Sequence, residues 1–201
     1  MASEDLERHA ALRITVIGVA LANLGYFAVE FAVARHIGSL SLFADSVDFL
    51  EDASVNLLIA LALGWPARWR ARLGMGMAAI LLAPAAAFLW TAWQKIHNFT
   101  PPQPWLLSTT GLGALAVNVT CAVLLARVRH HRGSLTKAAY LSARNDAIAN
   151  IAIMGAGALT LVWRTAWPDL VVGLAIAWMN LDAAREIWAA ARGEHGDDAQ
   201  V

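Results

Sequence analysis

The 201-residue chain holds one cysteine, Cys121, so no intramolecular disulfide is open to it. Cys121 falls in an apolar stretch and reads as a small apolar side chain, not a ligand. Charge is also scarce. Only 15% of residues are Asp, Glu, Lys or Arg, and the formal net charge is zero. That leaves no basic patch, and no nucleic-acid partner is expected. Long polar stretches are missing too, which leaves no room for a second, soluble domain.

What fills the chain is apolar. The hydrophobic fraction is 59%, well above the roughly 45–50% of soluble domains. A bilayer-spanning helix needs about 20 mostly apolar residues. Six stretches qualify, Arg13–Ala34, Leu40–Gly64, Met75–Trp93, Trp105–Ala126, Ala138–Trp163 and Trp167–Ala190. Short connections join them, and Pro168 punctuates the start of the last. The acidic, amphipathic start MASEDLERHA precedes a stretch too long for a signal-peptide core, so that stretch reads as the first span. The expected layout is a cytoplasmic tail over 1–12, a six-helix transmembrane domain over 13–192 and a short polar tail over 193–201.

Orientation follows from Lys and Arg. With the N-terminus inside, the inner segments hold Arg8, Arg13, Arg68, Arg70, Arg72, Arg127, Arg129, Arg132, Lys137, Arg185 and Arg192. The outer segments hold only Arg35, Lys95 and Arg164. Both termini are therefore expected in the cytoplasm. Tryptophans mark both interfaces, with Trp90, Trp93, Trp105, Trp163 and Trp167 at outer ends and Trp65, Trp69 and Trp188 at inner ends. Trp178 alone fits a buried core position.

The chain echoes itself. Asn23 precedes Gly38-Ser39-Leu40 by the same fifteen residues that separate Asn118 from Gly133-Ser134-Leu135. Beyond each triplet, with a one-residue slip, Asp48, Asp52 and Asn56 fall opposite Ser142, Asp146 and Asn150. Spans one and two thus resemble spans four and five. Three spans separate the copies, so they insert with opposite topology. Inverted repeats of this kind place a substrate site near mid-membrane at the repeat interface.

The polar residues of this echo carry the chemistry. Span two holds Asp45, Asp48, Glu51 and Asp52. A carboxylate at the centre of a span costs about 2.5–3.5 kcal/mol on insertion scales. Asp48 and Asp52 lie one turn apart on a shared helix face, with Asp45 near it and Glu51 to one side. The acidic stripe must then face the bundle interior or a water-filled cavity. In span five, Ser142, Asp146 and Asn150 are also spaced one turn apart, while Arg144 is turned away and should snorkel toward headgroups. Carboxylates converging from two helices cannot all ionise without a counter-ion. A divalent cation would expel protons as it binds, since metal ligands must be deprotonated. Purely structural, protonated acids are the competing reading.

The remaining polar residues say less. Asn23, Glu30 and Asn118 read as interhelical hydrogen-bonding groups, or as outer partners of the site. Asp169 reads as a carboxylate at the N-terminus of its own helix. His130-His131 reads as a solvated pair in a basic loop, and His9, His36, His97 and His195 show no ligand spacing.

The series GSLSLFADSVDFLED, RARLGMGMAA, RHHRGSLTKAAYLSARNDA and WPD resembles the cation diffusion facilitator family in order and spacing. The resemblance implies an all-α integral membrane protein of six spans that moves a divalent metal out of the cytoplasm in exchange for protons. Zinc heads the candidates, with cadmium, iron and manganese behind it. No enzyme activity and no organic cofactor are implied. It also implies a multi-pass protein of the cell inner membrane and a tetrahedral site with two ligands from each of helices two and five. By position these are Asp48, Asp52, Ser142 and Asp146, with Asn150 and Asp45 close by. Ser142 departs from the family's His or Asp, and a hydroxyl is a poor zinc ligand. The family's usual cytoplasmic C-terminal domain has no counterpart in the sequence, which resembles a shorter class. A homodimer would then form through the spans. The alternatives are a non-transporting or degenerate membrane scaffold subunit and a passive cation channel.

Overall fold

A computed structural model of the chain describes residues 2–62, 88–97, 100–128 and 133–179. Among these, every regular element is an α-helix and there is no strand. The helices are α1 (Ala2–Ile37), α2 (Leu40–Ala62), α3 (88–97), α4 (Pro104–Val128), α5 (Gly133–Val162) and α6 (Trp167–Met179). The segment expected as an N-terminal tail is the helical start of α1. Most of the third expected span, the His130-His131 pair, the inner tryptophans and the C-terminal tail lie outside the described residues.

Three helical stretches, Ala10–Ile37, Pro104–Arg127 and Ser142–Val162, are long and apolar enough to cross a bilayer. α2 has the length, at 23 residues, but carries four acids. It is the element that must be shielded by its neighbours. α1 packs along α2 and α4 along α5, while α1 also touches α4 and α2 touches α5. Like elements of the two sequence copies thus meet in pairs, as a two-fold relation between them would require.

The turn between α1 and α2 is built by Gly38, whose φ of 63° is the left-handed conformation favoured for a helix C-terminus. Ser39 N–H closes the turn back onto the Ala34 carbonyl at 3.0 Å. The same serine starts α2, its Oγ accepting the Leu42 N–H at 3.2 Å. α6 crosses this turn closely at Gly173, where a Cβ would lie 2.8 Å from the Leu40 carbonyl carbon. Backbone cannot yield as a flexible side chain would. Gly173→Ala should therefore cost about 1–3 kcal/mol and lower the melting midpoint of the protein in detergent. A wild-type midpoint would show that α6 can move away freely.

Two apolar clusters cap the bundle. One gathers Leu40, Leu42, Phe43, Phe88, Leu107, Ile153 and Leu170 near the α1–α2 turn. The other gathers Leu12, Val16, Val19, Ile59, Leu125 and Ala143 toward the opposite end, with Cys121 buried among them. Large apolar side chains such as Leu21, Val29, Ile148, Ile151 and Leu159 are exposed, which suits a lipid-facing surface. Trp90, Trp93, Trp105, Trp163 and Trp167 are also exposed, at the helix ends where an interfacial belt belongs. Trp178 is not the core residue expected from sequence. It is 65% exposed, because α6 turns that side of its helix outward.

Candidate metal centre

Between the two apolar clusters lies a layer of polar side chains. α2 contributes Asp45, Asp48, Asp52 and Asn56, all buried. The four-residue spacing from Asp48 to Asn56 keeps that row on one face, as 3.6 residues per turn dictates. α5 faces it with Ser142 and Asp146, both part-buried, and the buried Asn150. The contact between the rows is direct: Ser142 Oγ donates to Asp52 Oδ1 at 2.9 Å. Asp146 stands near enough to Asp48 and Asp52 for their charges to interact.

The asparagines are held alike on the two helices. Asn56 Nδ2 donates to the Asp52 carbonyl at 2.8 Å, and Asn150 Nδ2 donates to the Asp146 carbonyl at 2.9 Å. Each bond uses the amide's donor side. It leaves Asn56 Oδ1 and Asn150 Oδ1 buried without a hydrogen-bond partner among the described residues. Among the described residues, the layer therefore offers carboxylate and amide oxygens. Among the described residues, no three His, Cys, Asp or Glu side chains form a ready-made metal shell.

Arg144 behaves as its position on the helix requires. It is exposed, and its Nη2 donates to the Asn145 side chain at 3.3 Å, away from the acidic layer. Glu51 is half-buried beside the row. Glu30 and Asn23 differ from expectation. Both are fully buried on α1, yet neither side chain makes a hydrogen bond among the described residues. Tyr26 does bridge helices, its hydroxyl donating to the Thr110 carbonyl at 2.6 Å. Gly113 makes that approach possible, since a Cβ there would overlap the tyrosine hydroxyl.

The sequence reading missed one cluster altogether. Asp169 sits in the first turn of α6, but its side chain crosses to α2. Its Oδ2 accepts the Leu40 N–H at 2.8 Å, and its Oδ1 accepts the Ser41 N–H at 3.1 Å. The hydroxyls of Ser39 and Ser41 add bonds to Oδ1 at 2.6 and 2.7 Å. Lys95, at the end of α3, completes the lock. Its ammonium pairs with Asp169 Oδ2 at 3.1 Å and also bonds the Gly38 carbonyl. Lys95 is 6% exposed, so it is a buried structural cation and not the loop charge assumed in the orientation count. The available signal was the Ser-Leu-Ser opening of α2, which offers hydroxyl and amide donors to an anion.

A helical bundle that crosses the membrane several times, with oxygen donors layered between apolar ends, defines the class of multi-pass membrane transport proteins. The match of the cation efflux transmembrane domain covers residues 16–192. The chain belongs to that family, the cation diffusion facilitators, and is a divalent cation efflux transporter. No curated protein matches the chain.

Proposed function

We propose that this transporter exports a divalent transition metal in exchange for protons, holding it between Asp48 and Asp52 of α2 and Asp146 of α5. The observation that carries this reading is the 2.9 Å bond from Ser142 to Asp52, which joins the acidic row of one helix to the other. Six spans with both termini in the cytoplasm complete the proposed layout. Zinc heads the substrate class because carboxylates are among its usual ligands. The all-oxygen donor set also suits manganese and iron(II).

The chemistry follows from charge. Three acids in a buried layer need a compensating positive charge, whether a metal ion or protons. Metal entry requires free carboxylates and so releases protons. Protons arriving from the other side displace the metal in turn. The two apolar clusters would seal opposite ends, with the helix pairs rocking about the fixed layer.

Ser142 has a supporting part in this scheme. Its hydroxyl orients Asp52, and only secondarily offers a fourth ligand, with Asn150 Oδ1 near at hand. Ser142→Ala should weaken metal binding by about ten- to a hundredfold, the worth of a hydrogen bond to a charged group. Ser142→His should instead favour zinc over manganese, because imidazole suits zinc. Competition dialysis of the two metals against each variant measures both effects. An unchanged affinity for Ser142→Ala would remove the hydroxyl from the site.

The reading as a whole is tested in sealed vesicles carrying purified protein, a zinc reporter and a pH reporter. Zinc movement should be accompanied by counterflow of protons, and a preset proton gradient should drive zinc against its own gradient. A passive channel would carry zinc with no proton movement, and a scaffold would carry none.

A further inference from the structure

The geometry points to a second cation position on the transport route, formed by Glu30 of α1 and Asp45 of α2. It deepens the exporter reading and rests on it. Both residues are fully buried. All four of their carboxyl oxygens lack a hydrogen-bond donor among the described residues. Yet the two groups approach each other closely enough to share a proton or a cation between them.

Among the described residues, Tyr26, Ser46 and Lys95 are already committed. Tyr26, one turn from Glu30, spends its proton on the Thr110 carbonyl. Ser46, next to Asp45, donates to the Phe43 carbonyl. Lys95 is engaged by Asp169 and the Gly38 carbonyl. Burying a carboxylate without a donor or counter-ion is strongly unfavourable, and burying two together more so. An arrangement of this kind persists when something positive visits it.

Its place along the helix suggests what visits. Asp45 precedes Asp48 by three residues, about 4.5 Å along the axis toward the α1–α2 turn. Glu30 also interacts electrostatically with Asp48. A divalent cation leaving Asp48 in that direction would meet the Glu30–Asp45 pair next. The pair offers two anionic oxygen donors, enough for a weak transit position with water completing the shell. Asp45 is thereby assigned to this position and not to the Asp48–Asp52–Asp146 centre.

The test is metal stoichiometry on the full chain in nanodiscs, by equilibrium dialysis with zinc and separately with manganese. The wild type should hold two ions per chain, one of them at least about tenfold weaker. Glu30→Gln and Asp45→Asn should each lose the weaker ion and keep the stronger. Asp146→Asn should lose the stronger and keep the weaker. Glu30→Gln removes the charge and keeps the side-chain volume. Glu30→Asp, which keeps the charge, should retain the second ion and guards against a folding defect. A Glu30→Gln protein that binds both ions as the wild type does would overturn the proposal and leave the pair as a site holding only a shared proton. If Asp146→Asn also bound both ions unchanged, the metal centre of the proposed function would fall with it. If Asp146→Asn alone lost an ion, that centre would stand and only the Glu30–Asp45 position would fail.

Discussion

Asp146→Asn is expected to reduce metal flux into proteoliposomes by about a hundredfold or more, equivalent to roughly 2.7 kcal/mol or above. The substitution keeps the size and shape of the side chain and removes one charge from the buried layer. Asp146 is the carboxylate that α5 brings toward Asp48 and Asp52. With it neutral, the remaining pair on α2 would hold a divalent ion without its third anionic ligand. Proton counterflow should fall in parallel, because in an exchange scheme the same group carries both cargoes in turn. Flux of zinc and of protons, recorded together in the same vesicles, measures the effect. Loss of proton movement with metal flux intact would favour a channel. No change in either would favour a structural role for these acids.

Asp169→Ala should be the most destabilising single change at the other polar cluster, by about 3–5 kcal/mol. It strips a buried ammonium of its partner and leaves two amide N–H groups at the start of α2 without an acceptor. Lys95→Met should cost less, since four hydrogen-bond donors still serve Asp169. The double substitution should be milder than the sum of the two, because the uncompensated lysine charge disappears with the lysine. Melting midpoints of the four proteins in one detergent measure this cycle. Strict additivity would mean that the pair at 3.1 Å contributes no coupling.

These two clusters differ in how far sequence alone reveals them. The acidic layer is legible because it rests on local periodicity. Four-residue spacing places Asp48, Asp52 and Asn56 on one face, and Ser142, Asp146 and Asn150 on another, whatever the tertiary fold. The position of Arg144 away from that face follows from the same rule. The starts of α2 and α4 and the end of α5 are legible for a similar reason, because apolar runs bounded by polar turns mark them.

The Asp169 lock is not local. Its partners on α2 lie 128 to 130 positions away. Helix N-terminal position made the residue look like a cap for its own helix, and only packing of α6 over Gly38 to Ser41 redirects the side chain. Glu30 failed for the opposite reason. A buried glutamate in a span is expected to find a hydrogen-bond donor, but the nearby hydroxyls of Tyr26 and Ser46 already serve backbone carbonyls. Such prior commitments do not appear in a sequence.

The claim beneath these expectations is that α2 and α5 hold one ion in common. Metal dialysis against the wild type, Asp48→Asn, Asp146→Asn and the double variant, repeated about two pH units lower, tests it most directly. Either single substitution should abolish the same high-affinity ion, the double variant should lose nothing more at that position, and acid should weaken the wild-type ion. Retention of that ion by either single variant would contradict a shared site.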